Sequence, residues 1–435
     1  MDNNRTLFKQ ILQARYVLKG IFSGFRRVCK EPRLWLYSMA YLLLMWAACR
    51  IASIAATGPL AAMIASLYRI AFTFLFAAGG FVLLWMLGTP KGFLKISFAM
   101  TKVSDLSNAA GEIPVLISRA PTAGGHSEYW EFEAYGVPLS AFINALERLE
   151  SALDIAIVTA DTGNDGRKIV LTVVPHPGPW PKVLLWDISK MPLKYSAVAL
   201  GENRGELITN DFSITPHLLL AGQTGSGKSV LLKIIMLQIL HKGWQVYLAD
   251  YKRGSDYGRN WETRCTLLTD DMPLLEALEE IRTEMERRLD LLHETDCPNI
   301  DIYNSKYGTQ VPRIAICFDE IAEAVEKTSG MSKAEKERKE QISYLLSSLA
   351  RLGRAAGVHL ILATQRGSAD VLAGQIRSNI NAICGIANEN LSLLILSTAD
   401  AHKRIPKTAR GRFIREDGTM FQAYYSDFTA DEFNF

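Results

Sequence analysis

The chain has 435 residues, of which 49% are hydrophobic and 21% are charged, and its formal net charge is only +3. This length exceeds one ordinary domain, so we expect two or three structural units, and so small a charge does not by itself argue for a nucleic-acid partner. The six cysteines form no CxxC pair, which argues against a disulfide framework or a zinc site.

Residues 1–33 form a basic segment that precedes two long apolar runs, Leu34–Ala56 and Leu60–Leu87. Each run supplies the roughly 20 apolar residues that a membrane-spanning helix needs. A turn at "TGP" separates them, so residues 34–88 are predicted to be a hairpin of two transmembrane helices. Lysines and arginines flank its outer ends, which places the N-terminus and the rest of the chain in the cytoplasm of a multi-pass protein of the cell membrane. A signal peptide and a buried core hairpin are the alternatives.

Residues 100–200 are predicted to be a small α+β domain. Alternation in "YWEFEAY" (129–135) indicates a strand, and the spacing of 138–153 indicates a helix that Ser140 could cap. Two more strands are expected on either side of the Asp-, Gly- and Asn-rich loop "DTGNDG". This part of the sequence contains no catalytic cluster, so a structural or assembly role is expected for it.

Residues 201–435 are predicted to be a nucleotide-driven domain. The stretch "HLLLAGQTGSGKSVLLK" (217–233) fits the phosphate-loop pattern G-x-x-x-x-G-K-[ST] between a predicted strand and a predicted helix. Lys228 is expected to reach the β and γ phosphates of ATP, and the hydroxyl of Ser229 is expected to bind Mg²⁺. The residues predicted to bind ATP are Gly222, Gln223, Thr224, Gly225, Ser226, Gly227, Lys228 and Ser229.

The stretch "RIAICFDE" ends a second predicted strand with two acids. Asp319 is expected to orient Mg²⁺, and Glu320 is expected to polarise the attacking water. The alternative is that these acids merely cap the following helix. Gln365 ends a third strand, "HLILATQ", where it could sense the γ phosphate or only fix a loop. The alternation of strands and helices predicts an α/β fold with a mostly parallel sheet.

Several of these motifs resemble the FtsK/SpoIIIE family of DNA-translocating ATPases in their order and spacing. The resemblance covers roughly residues 150–430 and includes "PHLLLAGQTGSGKSVLLK", "EMERRLDLL", "ICFDEIAE" and "LGRAAGVHLILATQRGSADVLAGQIRSNI". It implies a P-loop (RecA-like) motor that forms a hexameric ring around DNA, with ATP sites between subunits. It also implies that residues 222–229 are the Walker A motif, Asp319 and Glu320 the Walker B motif, and Gln365 the sensor glutamine.

The same resemblance implies roles for three arginines. Arg354 matches an arginine finger that completes a neighbour's ATP site. Arg366 and Arg377 match pore loops that grip the DNA backbone, a task for which arginine is suited because phosphate contacts need no sequence reading. A surface salt bridge is the alternative for each of the three. Gly367 replaces the family's usual proline, and an Ile–Arg pair at 376–377 replaces its Ile–Lys.

The domains that we expect in this chain indicate one type of protein within this family. We expect no winged-helix reading module and no long Pro/Gln-rich linker, and only two spans. This combination resembles the TcpA-type coupling proteins of conjugative elements in Gram-positive bacteria, which connect a relaxase–DNA complex to transfer-channel proteins. The sequence therefore predicts a membrane-anchored ATPase that moves DNA during conjugation. A shortened chromosome translocase, a protein-export ATPase of the type VII secretion kind and a non-enzymatic scaffold are the alternatives.

Overall fold

The structure is a computed structural model that describes residues 17–18, 20–54, 59–103, 106–108, 111–122, 127–163, 166–175, 177–252, 254, 256–365, 380–396 and 403–433. The contacts of the chain divide it into two units, Met1–His176 and Pro177–Phe435. Residues 177–200, which the sequence analysis places in the middle domain, therefore belong to the second unit. The reason is that their strands pair within the large sheet of that unit.

The helices of the first unit are α1 (residues 20–30), α2 (Pro32–Ile54), α3 (Pro59–Gly88), α4 (Phe93–Lys102) and α5 (Leu139–Leu153). Helices α2 and α3 lie against each other, and the hydroxyl of Tyr41 donates a hydrogen bond to the carbonyl of Phe76 at 2.6 Å. Within the described residues, only Ala62–Gly88 is both long and apolar enough to cross a membrane. Both predicted spans are thus helical, and the length and composition of α3 suffice for a membrane crossing.

The strands of the first unit are β1 (Val115–Pro121), β2 (Glu128–Glu133), β3 (Ile155–Thr162) and β4 (Lys168–Pro175). They form an antiparallel sheet in the order β1-β2-β4-β3. Phe142 of α5 is buried against Phe132 of β2, with 6.0 Å between the ring centroids. The predicted cap is wrong. Pro138 precedes the helix without a side-chain capping bond, and Ser140 lies inside the first turn.

The described residues of the second unit contain an eleven-stranded sheet. Its strands are β5 (Leu184–Leu185), β6 (Ala197–Asn203), β7 (Glu206–Asp211), β8 (Leu218–Ala221), β9 (Gln245–Ala249), β10 (Thr266–Leu268), β11 (Ile314–Phe318), β12 (Val358–Thr364), β13 (Asn381–Cys384), β14 (Arg412–Arg415) and β15 (Met420–Tyr425). Its helices are α6 (Lys228–His241), α7 (Arg259–Glu262), α8 (Asp271–Glu294), α9 (Ile300–Tyr307), α10 (Ile321–Val325), α11 (Lys333–Ala356) and α12 (Glu389–Leu396).

The strand order is β10-β9-β11-β12-β8-β13-β14-β15-β6-β7, with β5 paired to β15. The pairings from β10 to β13 are parallel, whereas those from β13 to β7 are antiparallel. The sheet is therefore mixed rather than mostly parallel, because the β6–β7 and β14–β15 hairpins extend it at one side. Every residue of β8, β11 and β12 is buried, as expected for strands covered on both faces.

The register of the parallel strands brings their carboxyl ends to one edge of the sheet. Ala221 at the end of β8 pairs with Thr364 at the end of β12, and Phe318 at the end of β11 pairs with Leu362. The loops that follow β8, β11 and β12 therefore start side by side. This is the edge at which open α/β sheets bind their ligands.

The opposite, amino edge of the same strands holds a buried polar cluster. The His359 Nδ1 hydrogen bonds to the carbonyl of Pro216 at 2.8 Å, so its Nε2 accepts from Arg313, 2.6 Å away. The backbone N–H of Leu360 donates to His217 Nδ1 at 3.0 Å. Burial lowers the pKa of His359 well below its usual value, and the charge of Arg313 lowers it further. Both histidines are consequently neutral parts of the folded core.

Candidate nucleotide-binding site

Residues 222–229 form the turn between β8 and α6. Gly225 and Gly227 have φ angles of 77° and 102°, a region that glycine enters without the steric cost of a side chain. A Cβ on Gly227 would also lie 3.1 Å from the backbone of Gly411, whereas one on Gly225 would meet nothing within 4 Å. Gly227 is therefore required by packing as well as by conformation, and Gly225 faces open space.

Neighbouring segments hold this loop in place. The backbone N–H of Gln223 donates to the carbonyl of Ile386 at 2.7 Å, and the N–H of Gly411 donates to the carbonyl of Ser226 at 2.8 Å. The first bond comes from the segment after β13, and the second comes from the segment before β14. The loop thus has a fixed backbone, with its N–H groups at the start of α6, where the helix dipole favours an anion.

Lys228 is the first residue of α6 and is only 4% exposed. Burial lowers the pKa of its ammonium group, while the charges of Glu320 and Asp319 act in the opposite direction. The hydroxyl of Ser226 is buried and has no hydrogen-bond partner within the described part of the chain. A buried cation and an unpaired hydroxyl in one loop are what a bound phosphate group would satisfy.

Asp319 follows β11 directly and is 3% exposed. Its Oδ1 accepts a hydrogen bond from the Tyr257 hydroxyl at 3.2 Å, and its Oδ2 lies 3.4 Å from the Lys252 Nζ. Burial and the charge of Asp319 raise the pKa of Tyr257 well above its usual value, so the hydroxyl stays protonated as a donor. The carboxylate is thereby held at the carboxyl edge of the sheet.

The donor set fits a magnesium ion of the kind expected. Hydroxyl and carboxylate oxygens are the ligands that Mg²⁺ prefers, and it usually keeps several waters and binds substrate phosphates. Asp319 and Ser229 supply one such oxygen group each. Across the described ranges, no group of three or more His, Cys, Asp or Glu side chains is placed to hold a metal. A magnesium ion here would therefore complete its coordination with phosphate and water oxygens.

Residues at the end of β12 hold the side chain of Glu320 in place through hydrogen bonds. Its Oε1 accepts a hydrogen bond from the Thr364 hydroxyl at 2.9 Å, and its Oε2 accepts one from the backbone N–H of Gln365 at 2.9 Å. The side-chain Oε1 of Gln365 in turn accepts from the Thr224 hydroxyl at 2.6 Å. Glu320 makes no side-chain capping bond to α10. Its hydrogen bonds run to the neighbouring strand, and Gln365 links that strand to the phosphate loop.

The phosphate loop and Gln365 border a cleft of about 540 Å³. One wall contains the phosphate loop, Lys252 and Gln365, as the sequence analysis expects for the loop and the glutamine. The residues of the other wall are Lys182, Val183, Leu184, Arg410, Gly411, Gln422, Ala423, Tyr424 and Tyr425. Sequence reasoning missed this wall, because nothing in the pattern of β5 or β15 shows that these strands pair next to the loop.

Sequence reasoning also missed the segment after β9. Asp250 is 2% exposed and accepts backbone hydrogen bonds from Lys252 at 3.0 Å and from Gly254 at 2.8 Å. It shapes the turn that carries Lys252 and Tyr257 to Asp319. A signal was present in the stretch "LADYKRGSDY", since charged residues that follow a buried parallel strand emerge at the ligand-binding edge.

Among the predicted arginines, Arg354 is described, and it does not line the cleft. Arg354 is exposed near the end of α11, where its Nε donates to the carbonyl of Ser213 at 3.3 Å. It precedes β12, whereas Gln365 follows that strand, and seven strand residues span roughly 20 Å. Arg354 is therefore at the amino edge, out of reach of the phosphate loop of its own chain. Arg366 and Arg377 lie outside the described residues.

Comparisons with known proteins agree with this geometry. The FtsK/SpoIIIE family matches residues 185–369. The DNA translocase FtsK of Campylobacter jejuni is 30% identical over 259 residues, which are 56% of this chain and 26% of that protein. The DNA translocase SpoIIIE of Bacillus subtilis is 29% identical over 300 residues, which are 64% of this chain and 37% of that protein. The chain thus spans only about a quarter to a third of the length of these relatives.

A solved structure is similar over most of its own length. The pCW3 conjugation coupling protein TcpA, in a monomer form with ATPγS, is 30% identical, with a TM-score of 0.56 over 79% of this chain and 96% of that one. The phosphate loop and the acids at the end of β11 lie within residues 185–369, which the family matches. The chain therefore belongs to the FtsK/SpoIIIE family and carries that family's P-loop ATPase domain.

Proposed function

We propose that this chain hydrolyses ATP to move DNA and that it acts as the coupling protein that drives DNA into the transfer channel during conjugation. One observation carries the proposal: the likeness to a conjugation coupling protein extends over 96% of that protein's solved chain. The FtsK and SpoIIIE relatives support DNA as the substrate, since both are DNA translocases.

The cleft supports ATP hydrolysis. Lys228 and the backbone N–H groups of residues 222–229 bind the phosphates, and Gln365 contacts the γ phosphate from the neighbouring strand. Ser229 and Asp319 hold a magnesium ion, which neutralises phosphate charge when it is bound. Glu320, fixed by two hydrogen bonds, accepts a proton from the attacking water. A carboxylate that directly follows the magnesium-binding Asp319 and is fixed in orientation favours a hydrolase over a nucleotide-binding scaffold.

The proposed active unit is a hexameric ring. Arg354 lies too far from its own cleft to act there, so a role at a phosphate requires the cleft of a neighbouring subunit. Its exposed position at the end of α11 leaves it available to such a neighbour. In the ring, Arg354 would stabilise the charge of the transferring phosphoryl group. Arg366 and Arg377 are proposed to grip the DNA backbone, with a relaxase and transfer-channel proteins as further partners.

The proposed location is the cell membrane, with the N-terminus and the ATPase domain in the cytoplasm. Helices α2 and α3 would cross the bilayer as a hairpin. Their large side chains are mostly exposed, for example Leu44 at 64% and Phe74 at 73%, which suits contact with lipid. The basic residues before α2 and after α3 support the cytoplasmic orientation of both ends. Of the two helices, α3 has the better support as a membrane span, since Ala62–Gly88 is long and apolar enough to cross a bilayer.

The test is ATP hydrolysis by the full-length protein in detergent micelles, with and without DNA. We expect hydrolysis that double- or single-stranded DNA stimulates several-fold, and loss of that hydrolysis on Lys228→Ala. Lys333→Ala is the matched control because this lysine is 92% exposed. Hydrolysis that no DNA changes would refute translocation. A shortened chromosome translocase is distinguished by gene deletion, which would then trap chromosomes at the septum instead of lowering plasmid transfer.

A further inference from the structure

Thr364 is the last residue of β12 and is 1% exposed. Its hydroxyl and the backbone N–H of the next residue, Gln365, donate to the two different carboxylate oxygens of Glu320, each at 2.9 Å. The last residue of β12 and the residue that follows it therefore hold the carboxylate at both oxygens. Two contacts of this kind fix the rotation of the carboxylate plane, which a single hydrogen bond would leave free.

This arrangement leaves Glu320 able to accept further hydrogen bonds. A carboxylate offers about four lone-pair sites, so two remain for a water molecule after both donors are counted. Threonine suits the position because its β-branch makes χ1 stiff, and because burial at 1% exposure limits its motion. Of the two donors, only the hydroxyl depends on the identity of a side chain.

We propose that Thr364 is a positioning residue for ATP hydrolysis, which orients the free lone pairs of Glu320 towards the attacking water. The inference rests on the proposed function, since it assigns Glu320 as the general base. Thr364 is buried and its hydroxyl donates to Glu320, so its effect is transmitted through Glu320. The Gln365 side chain extends the same array to Thr224 of the phosphate loop.

The experiment compares two substitutions in the full-length protein, measured by ATP hydrolysis in the absence of DNA. Thr364→Val keeps the shape but removes the hydroxyl, and we expect kcat to fall about tenfold, less than the roughly 10²–10⁴-fold contribution of a general base itself. KM and the affinity for ATPγS should stay within about twofold of wild type, because the phosphate loop is untouched. Thr364→Ser keeps the donor and should restore most of kcat.

Thr419 supplies a matched control. It is also 1% exposed, and its buried hydroxyl has no partner among the described residues. Thr419→Val should leave kcat unchanged. If Thr364→Val hydrolyses ATP as fast as wild type, or if Thr364→Ser is as slow as Thr364→Val, Thr364 does not position Glu320.

A double substitution separates positioning from a general structural effect. With enzyme in excess over ATP, Thr364→Val should not slow the residual hydrolysis of Glu320→Ala further, because residues that act as a unit are non-additive. An equal loss in both backgrounds would mean that Thr364 acts through the fold instead. If the wild-type protein itself hydrolyses no ATP, the proposed function fails, and this inference fails with it.

Discussion

The two edges of the parallel strands both carry polar clusters, but the clusters are built differently. At the amino edge, both ring nitrogens of His217 and of His359 have hydrogen-bond partners, and both side chains are 0% exposed. At the carboxyl edge, Lys228 and Ser226 line an open cleft, and the buried hydroxyl of Ser226 has no partner in the described part of the chain. Polar groups that have hydrogen-bond partners stabilise a fold, whereas polar groups without partners beside a cleft indicate a ligand-binding site.

The largest expected effect comes from the carboxyl edge. Lys228→Ala should lower ATP hydrolysis by at least roughly 10³-fold, since it removes the positive charge that stabilises the transferring phosphoryl group. Burial lowers the pKa of this lysine, so its charged form is disfavoured there, and the melting temperature of the variant should be unchanged or higher. Calorimetry and a phosphate-release assay measure the two quantities. A clear loss of thermal stability would contradict the conclusion that the carboxyl edge binds a ligand while the amino edge stabilises the fold.

The amino edge should give the opposite pattern. His359→Ala removes the hydrogen-bond acceptor of Arg313 and a buried ring, so the free energy of unfolding should fall by about 3 kcal/mol. Denaturant titration can follow it by the fluorescence of Trp244, whose ring centroid lies 5.1 Å from that of His359. Protein that remains folded should hydrolyse ATP at the wild-type rate. Unchanged stability would show that this cluster is not structural.

Arg354 sharpens the comparison, because it is at the amino edge yet is proposed to act in catalysis. Arg354→Ala should lower hydrolysis about 10²-fold under conditions where the ring forms, as expected for loss of one charge-stabilising donor. Binding of ATPγS to dilute, monomeric protein should be unchanged. Mixing this variant with Lys228→Ala subunits should restore activity at the interfaces where an intact arginine meets an intact cleft. If the mixed rings regain no ATP hydrolysis, Arg354 does not act at the ATP site of a neighbouring subunit.

The smallest expected effect is a pH dependence of stability. Burial lowers the pKa of His217 from 6.5 to about 4. Below pH 6.5 the unfolded chain binds a proton that the folded chain does not, so the free energy of unfolding falls as the pH falls towards 4. His217 alone should account for a loss of about 1.6 kcal/mol between pH 6.5 and pH 5. His359, whose pKa burial also lowers, adds to this loss. Urea titrations at both pH values check it, and His217→Gln should show a smaller loss than wild type.

The local motifs were predictable because they depend on short-range rules. The phosphate loop, the acids after β11 and Gln365 all follow buried strands, and parallel strands bring such positions to one edge. The second cleft wall was not predictable, since Tyr424 and Leu184 meet only through a parallel pairing between strands distant in the sequence. The mixed character of the sheet has the same origin, because pairing partners of edge hairpins are set by long-range packing.

The charged stretch at residues 327–341 is another region whose structure depends on long-range contacts. Its many charges are typical of a solvated surface segment, yet Ser332 and Glu335 form a capping box that starts α11. Lys339, farther along, is 4% exposed and its Nζ lies 2.6 Å from the Asp271 Oδ1 at the start of α8. A run of charged residues is usually exposed, but one residue of the run can be buried when it forms an ion pair with a partly buried partner.

The central claim is that the carboxyl edge of the sheet is a site of ATP hydrolysis in which Glu320 acts on water. Full-length Glu320→Gln should bind ATP with the affinity of wild type but hydrolyse it at least roughly 10²-fold more slowly, with or without DNA. ATP binding by equilibrium dialysis and phosphate release by the same preparation measure both quantities together. Hydrolysis at the wild-type rate by this variant would contradict the account.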